Sequence, residues 1–198
     1  MKKIWLIIVS LLVVGVCVFG YSKFKEIFSP VHGIIVYSSD KQKLDEKLKN
    51  NDRNIASELT IEGKYNHKSD SLILNEQSAE KLIKIKALNK VSKSFDNYKF
   101  KTLKSLSKTP ILWSKKNTSY ISDDKGKKFS NLSYSYVVLG ESSVTSNILV
   151  LNEEDYKSFD SPKEYVSVIK EKRSADDALQ DYLIKNNQLH NQIFHYKQ

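Results

Sequence analysis

The chain has 198 residues, 40% of them hydrophobic, and a formal charge of +9 at pH 7. With an apolar leader set aside, that length suits one ordinary domain and leaves too little for two. Recurrent runs of Val, Ile, Leu, Tyr and Phe exclude a disordered chain, and a single cysteine excludes an internal disulfide.

Residues 1–22 begin Met1-Lys2-Lys3 and run from Ile4 to Tyr21 without a charge. A helix of that length spans roughly 27 Å at about 1.5 Å per residue, close to the ~30 Å hydrocarbon core of a bilayer. Lys2 and Lys3 favour a cytoplasmic N-terminus, so the rest of the chain is expected outside, behind a single-pass signal-anchor. A cleaved signal peptide is the rival, although no small-x-small cleavage site follows the run. Cys17, in Val14-Gly15-Val16-Cys17, resembles the lipobox of lipoproteins, departing from it at the branched Val16. Cys17 is therefore a candidate lipidation site, and otherwise an ordinary apolar helix residue. Residues 23–32 read as a juxtamembrane linker, 33–187 as an extracytoplasmic α/β (α+β) domain and 188–198 as a C-terminal tail.

Gly33-Ile34-Ile35-Val36-Tyr37 is a continuous apolar run, which predicts a strand buried on both faces. Ser38-Ser39-Asp40 supplies capping chemistry for a charged helix with a narrow stripe at Leu44 and Leu48. Leu59 to Tyr65 alternates, Asn66 to Asp70 has turn composition, and Leu72-Ile73-Leu74 follows, which predicts a hairpin. From Asn75 the period changes, and Ala79, Leu82, Ile83 and Leu88 suit a helix ending near Asn89. Residues 90–109 are lysine-rich and loosely patterned.

Strand character returns at Pro110 to Trp113 and at Ser119-Tyr120-Ile121, and Asp123-Asp124-Lys125-Gly126 reads as a tight turn with Gly126 free for positive φ. Leu132, Tyr134, Tyr136 and Val138 fall at period two, predicting one long strand whose tyrosine stripe is a packed sheet face or a binding platform. Asn147 to Leu151 is a second fully apolar strand, followed by a short helix over Asn152–Phe159 and a strand at Tyr165–Ile169. Ser174 then precedes Ala175, Ala178, Leu179, Tyr182 and Leu183, the spacing of an amphipathic helix. Leu72-Ile73-Leu74-Asn75-Glu76 and Leu149-Val150-Leu151-Asn152-Glu153 repeat one connection, in which Asn caps free amides and Glu lies near the positive helix end. The sum is a single mixed sheet of roughly five to seven strands, with helices mainly on one face.

Charge is unevenly spread: residues 22–80 carry a net −1, 81–128 carry +11 and 129–198 carry −3. Such a middle attracts anionic lipid or wall polymers, or simply keeps the domain soluble and blunts sheet edges. The export signal argues against nucleic acid. Nucleophile elbow, phosphate-binding loop and zinc motifs are all missing, and His32, His67, His190 and His195 are scattered, so no catalytic residue, metal site or cofactor is expected. Glu153-Glu154-Asp155 is explained by the helix dipole it meets.

The segment Asn147 to Phe159, with Tyr165–Ile169 and the stretch from Ser174, resembles the extracellular domain of FtsX-like ABC-transporter permeases over about a fifth of the chain. The layout of one membrane helix before a GIIVY-type strand resembles small Gram-positive lipoproteins with no assigned activity. The further membrane helices of a permease are missing, so the resemblance implies an accessory domain beside such a transporter. The expected function is a membrane-tethered, non-enzymatic accessory or binding protein, associated with an envelope ABC transporter or antimicrobial immunity. The alternative is an envelope hydrolase acting on wall or lipid substrates.

Overall fold

The computed structural model describes residues 31–94, 97–185, 187 and 189–196. The expected membrane segment and Cys17 lie outside these residues. Among the described residues, no helix is long and apolar enough to cross a membrane.

Strand β1 (Gly33–Ser38) is buried at all six positions, as its apolar run requires. Asp40 then accepts the Lys43 amide at 3.2 Å and starts α1 (Lys41–Asn51), which buries Leu44 and Leu48. Strands β2 (Ile55–Asn66) and β3 (Ser71–Asn75) form the expected antiparallel hairpin. Helix α2 (Glu76–Lys84) stops earlier than its periodicity predicts. Lys86 adopts a φ of 60°, and Leu88, read from sequence as a helix position, instead opens β4 (Leu88–Ser94). Periodicity could not see this ending, because the residue that reverses the chain is a lysine rather than a glycine.

The loosely patterned lysine-rich stretch forms a hairpin of β4 with β5 (Asn97–Thr102). Its pattern was weak because five of the six β5 residues are exposed and no buried face enforces alternation. Next come β6 (Ile111–Ser114), β7 (Tyr120–Ser122) and β8 (Lys128–Ser130), the last two joined through Gly126 at a φ of 89°. The long tyrosine-striped strand is in fact two, β9 (Ser133–Ser135) and β10 (Val137–Leu139). They part at Tyr136 because β9 pairs with β6 while β10 leaves to pair with β4.

Strand β11 (Asn147–Leu151), α3 (Glu153–Ser158) and β12 (Lys163–Glu171) follow the sequence reading. The amphipathic helix after Ser174 does not form. Helix α4 (Ala175–Ala178) is one turn long, Ser174 caps nothing with its side chain, and Leu179–Tyr182 tightens into a 3₁₀ turn. That turn brings the Tyr182 hydroxyl to the buried Glu171 carboxylate at 2.6 Å, and the Asn191 amide donates to the Tyr182 carbonyl at 3.0 Å, where a longer helix would need it. The stretch expected as a tail contributes β13 (Gln192–Phe194), paired with β1.

The main sheet has eight strands in the order β13-β1-β12-β2-β3-β11-β6-β9. Pairing is parallel only at β3/β11 and β6/β9. One face carries a single core, from Ile35 and Tyr37 through Leu72, Leu74 and Val150 to Trp113, covered by Ala79 and Leu82 of α2 and by the β10-β4-β5 sheet. The opposite face holds two separate cores. Ile34, Val36 and Ile169 pack under α1, α4 and Tyr182, while Ile73, Leu112, Leu149 and Leu151 pack under Tyr156, Phe159 and the β7–β8 hairpin. Thr60 and Ser167, hydrogen-bonded at 3.1 Å, lie on β2 and β12 between them. The protein is thus a mixed α+β domain with three helices on one face and α2 on the other.

The repeated connection proves to be a spatial pair. Strands β3 and β11 are parallel neighbours, Leu74 beside Val150 and Asn75 beside Leu151, and Asn75 and Asn152 cap helices that leave on opposite faces. Their side chains accept the Ser78 and Asp155 amides, each at 2.9 Å, and the Asn75 amide donates to Glu153 at 3.0 Å. Asn152→Ala is expected to lower the unfolding free energy by about 1 kcal/mol, the usual cost of a lost cap. A urea titration would contradict this if its midpoint did not move.

Candidate functional site

In open sheets with parallel strands, ligands commonly sit at the carboxyl ends where helices diverge to opposite faces. Here that end of β3/β11 is filled by the Asn75–Glu153 hydrogen bond and by Thr109 donating to Glu76 at 2.5 Å. The open space lies at the other end. Ser69 and Asp70 precede β3, Thr145 and Ser146 precede β11, and Ser114 to Thr118 follow β6; together they floor a cleft of about 1000 Å³. Tyr98 of β5 and Tyr136 wall one side, and Tyr120, Ser122 and Asp123 the other.

Asp70 holds this floor together. Its φ of 45° turns the chain into β3, one carboxylate oxygen accepts the Tyr65 hydroxyl at 2.7 Å, and the other accepts the Ser146 amide and hydroxyl at 2.8 and 2.6 Å. The Asp70 carbonyl also takes the Asn147 amide at 3.1 Å, and the Asn147 side chain donates to Ser69 at 2.8 Å. Burial, and then the bond to Asp70, push the Tyr65 phenol well above its ordinary range. Asp123 is similarly committed: it accepts the Lys125, Lys127 and Asp160 amides at 3.0, 2.8 and 3.2 Å. Burial pushes its carboxyl up, but these amides together with Gly126 outweigh that and hold it below the usual range.

With Asp70 held by an amide and two hydroxyls and Asp123 by amides, the lining is left with lysines, tyrosines, hydroxyls and amide side chains, and with Ile121 and Val144. Lys115 and Lys116 are exposed, with the Lys115 ammonium 5.9 Å from the Tyr98 ring centre. Lys68 reaches the Asp124 carbonyl at 2.9 Å, and Lys128 stands 4.4 Å from the centre of the Tyr120 ring. Tyr98 is 47% exposed and Tyr120 42% exposed, unusual for large rings that could have turned inward. Such a surface binds by charge, hydrogen bonding and stacking; it presents no paired general acid and base.

Sequence reading named only the outline of this site. The tyrosine stripe included Tyr136, and Asp123 was placed in a turn, but the lining comes from separated loops with no motif among them. The histidines stay apart: His32 contacts the Arg173 carbonyl at 2.8 Å, His195 meets Glu141 at 2.9 Å, and the His67 ring stands edge-on to Tyr65. Glu153, Glu154 and Asp155 open α3, as read from the sequence. Among the described residues, no group of three or more His, Cys, Asp or Glu could hold a metal ion. One further group stands out away from the cleft. Glu164 is 4% exposed, its Oε1 has no hydrogen-bond partner among the described residues, and burial pushes its carboxyl up to about 7.

The domain has the fold of a crystal structure described as "Putative Lipoprotein from Bacillus anthracis", with a TM-score of 0.69 and 21% identity over 84% of this chain and 99% of that one. Fold and cleft thus define a small mixed α+β domain with an open cleft at one end of its sheet. Within that class, the chain belongs to the Lipoprotein_22 family, an uncharacterised lipoprotein family, whose model matches residues 31–197. Among curated proteins none matches the chain. These matches carry the lipoprotein resemblance and do not extend to the expected likeness of Asn147 to Phe159, Tyr165–Ile169 and the stretch from Ser174 to FtsX-like permease domains.

Proposed function

We propose that this protein is a membrane-tethered, extracytoplasmic binding protein without catalytic activity, and that the cleft is the seat of its ligand. The observation that supports this best is the commitment of Asp70 and Asp123 to backbone amides beside exposed tyrosines and lysines. A hydrolase acting on wall or lipid substrates, the alternative reading, would need a proton-exchanging group at the site, and the two carboxyls there are already engaged by hydrogen-bond donors. Family membership supports the tether. It is the single-pass helix over Ile4–Tyr21 with Lys2 and Lys3 inward, or a lipid on Cys17, and the intact mass of membrane-extracted protein tells them apart. Association with an envelope ABC transporter, or a part in antimicrobial immunity, draws its support from the resemblance of segment 147–169 alone.

A photo-crosslinking side chain at Ser143, on the exposed cleft rim, tests the reading in native membranes, with Lys49 on α1 as the control position. A discrete adduct at Ser143 and none at Lys49 is the expected result. Adducts equal at both positions, or none at either, would overturn the cleft as the ligand seat. A transporter subunit among the adducts would support the partnership.

A further inference from the structure

From the cleft's charge, its aromatic walls and its position in the sheet, we infer that its ligand is a phosphate-bearing polyol or sugar polymer of the envelope, rather than the lipid bilayer. The inference rests on the reading of the cleft as a ligand seat and names the class of ligand.

The charge comes first. Residues 81–128 carry a net +11, and among the described residues Lys125 alone of the cations in that stretch is ion-paired, with Asp160 at 3.4 Å. Two of the others, Lys115 and Lys116, stand at the cleft, and Lys68 joins them from the turn before β3. Ammonium groups on flexible stems suit phosphates spaced along a chain, where each pair adds a modest salt-sensitive increment.

The rings come next. Tyr98, Tyr120 and Tyr136 line the cleft, and the first two remain largely exposed, with lysine ammonium groups at their faces. Tyrosine offers an apolar face for the C–H side of a polyol or sugar and a hydroxyl for its oxygens. The exposed Ser143 hydroxyl on the rim extends that polar contact.

Position separates polymer from lipid. Following the register Gly33–Lys170, Lys170–Ser57 and Asn66–Ser71, the start of β1 lies nine residues along the strand direction beyond the start of β3. At about 3.3 Å per residue that is ~30 Å, and the four strand spacings from β1 to β11 add ~19 Å across at about 4.8 Å each. The chain therefore enters the domain at Val31 on the corner diagonal to the cleft. The point of attachment and the cleft thus lie at opposite ends of the sheet.

The test measures binding of the full-length protein, its leader already embedded in a neutral phosphatidylcholine nanodisc, to a glycerol-phosphate polymer, to phosphatidylglycerol vesicles and to a neutral glucan. The expected result is saturable, salt-weakened binding of the polymer alone. Lys115→Ala with Lys116→Ala is expected to weaken it at least tenfold, and Tyr98→Ala with Tyr120→Ala comparably. Lys81→Ala with Lys84→Ala, on α2 and outside the cleft lining, is expected to change it less than twofold. All these side chains are exposed, and unchanged thermal melting would verify that the variants fold. Equal losses in the two lysine pairs would reduce the effect to general basicity and overturn the proposal. Binding of the vesicles in place of the polymer, or of the glucan as tightly, would overturn it too. If the polymer fails while a Ser143 adduct forms in membranes, the ligand class falls and the cleft reading survives.

Discussion

Asp70→Ala is expected to lower the unfolding free energy by about 3 kcal/mol. The carboxylate receives three hydrogen bonds, one from the partly buried Tyr65 hydroxyl and two from the exposed Ser146 amide and hydroxyl, and its removal leaves the phenol unmatched and frees the loop before β11. Bonds to charged groups contribute about 1.5–3 kcal/mol, and the deletion also places alanine at a left-handed position at a cost of roughly 1 kcal/mol. Water reaching the opened floor recovers part of the loss. Asp70→Asn tolerates that φ and keeps one accepting oxygen, so it is expected to cost about 1 kcal/mol. Chemical denaturation of the two variants side by side gives the measurement. Should alanine and asparagine prove equal, the carboxylate's charge would have no part in joining β3 to β11. Because the same bonds fix Ser146 in the cleft, polymer binding is expected to fall with stability in the alanine variant.

Glu164→Gln is expected to stabilise the protein at pH 8 and leave it unchanged at pH 4. The carboxyl ionises near 4.5 in an unfolded chain and near 7 in the fold, because burial beside Tyr37 and Tyr65 disfavours its charge. A raised folded value means that the folded state holds the proton longer. The stability it confers is therefore full below pH 4.5 and is lost as pH rises through 7. The neutral amide removes that loss, and the gain at pH 8 is on the order of 2 kcal/mol. Thermal melting of both proteins from pH 4 to pH 8 reads it out, with curves that coincide at the acid end, diverge between pH 4.5 and 7 and run parallel above. Parallel curves across the whole range would mean that Glu164 finds a partner or water when ionised.

Much of the scaffold follows from local chemistry. β1, β3 and β11 are continuous apolar runs, and each is buried in the middle of the sheet. Asp40, Asn75 and Asn152 stand where free helix amides need acceptors, and each accepts one. These features need only the residues themselves and their neighbours three or four positions away.

What the sequence alone determined, then, was the mixed α+β class, the buried strands, the helix starts and the Gly126 turn, because periodicity, capping and backbone freedom act over a few residues. The tertiary structure alone decided where the tyrosine stripe divides, why the helix after Ser174 stops at one turn, and that β3 lies beside β11. It alone also gathered Tyr98, Lys115, Tyr120 and Asp70 around one cleft. Those outcomes depend on pairings between segments tens of residues apart, where a strand's choice of sheet or a carboxylate's choice of donor is settled by burial that no local pattern records.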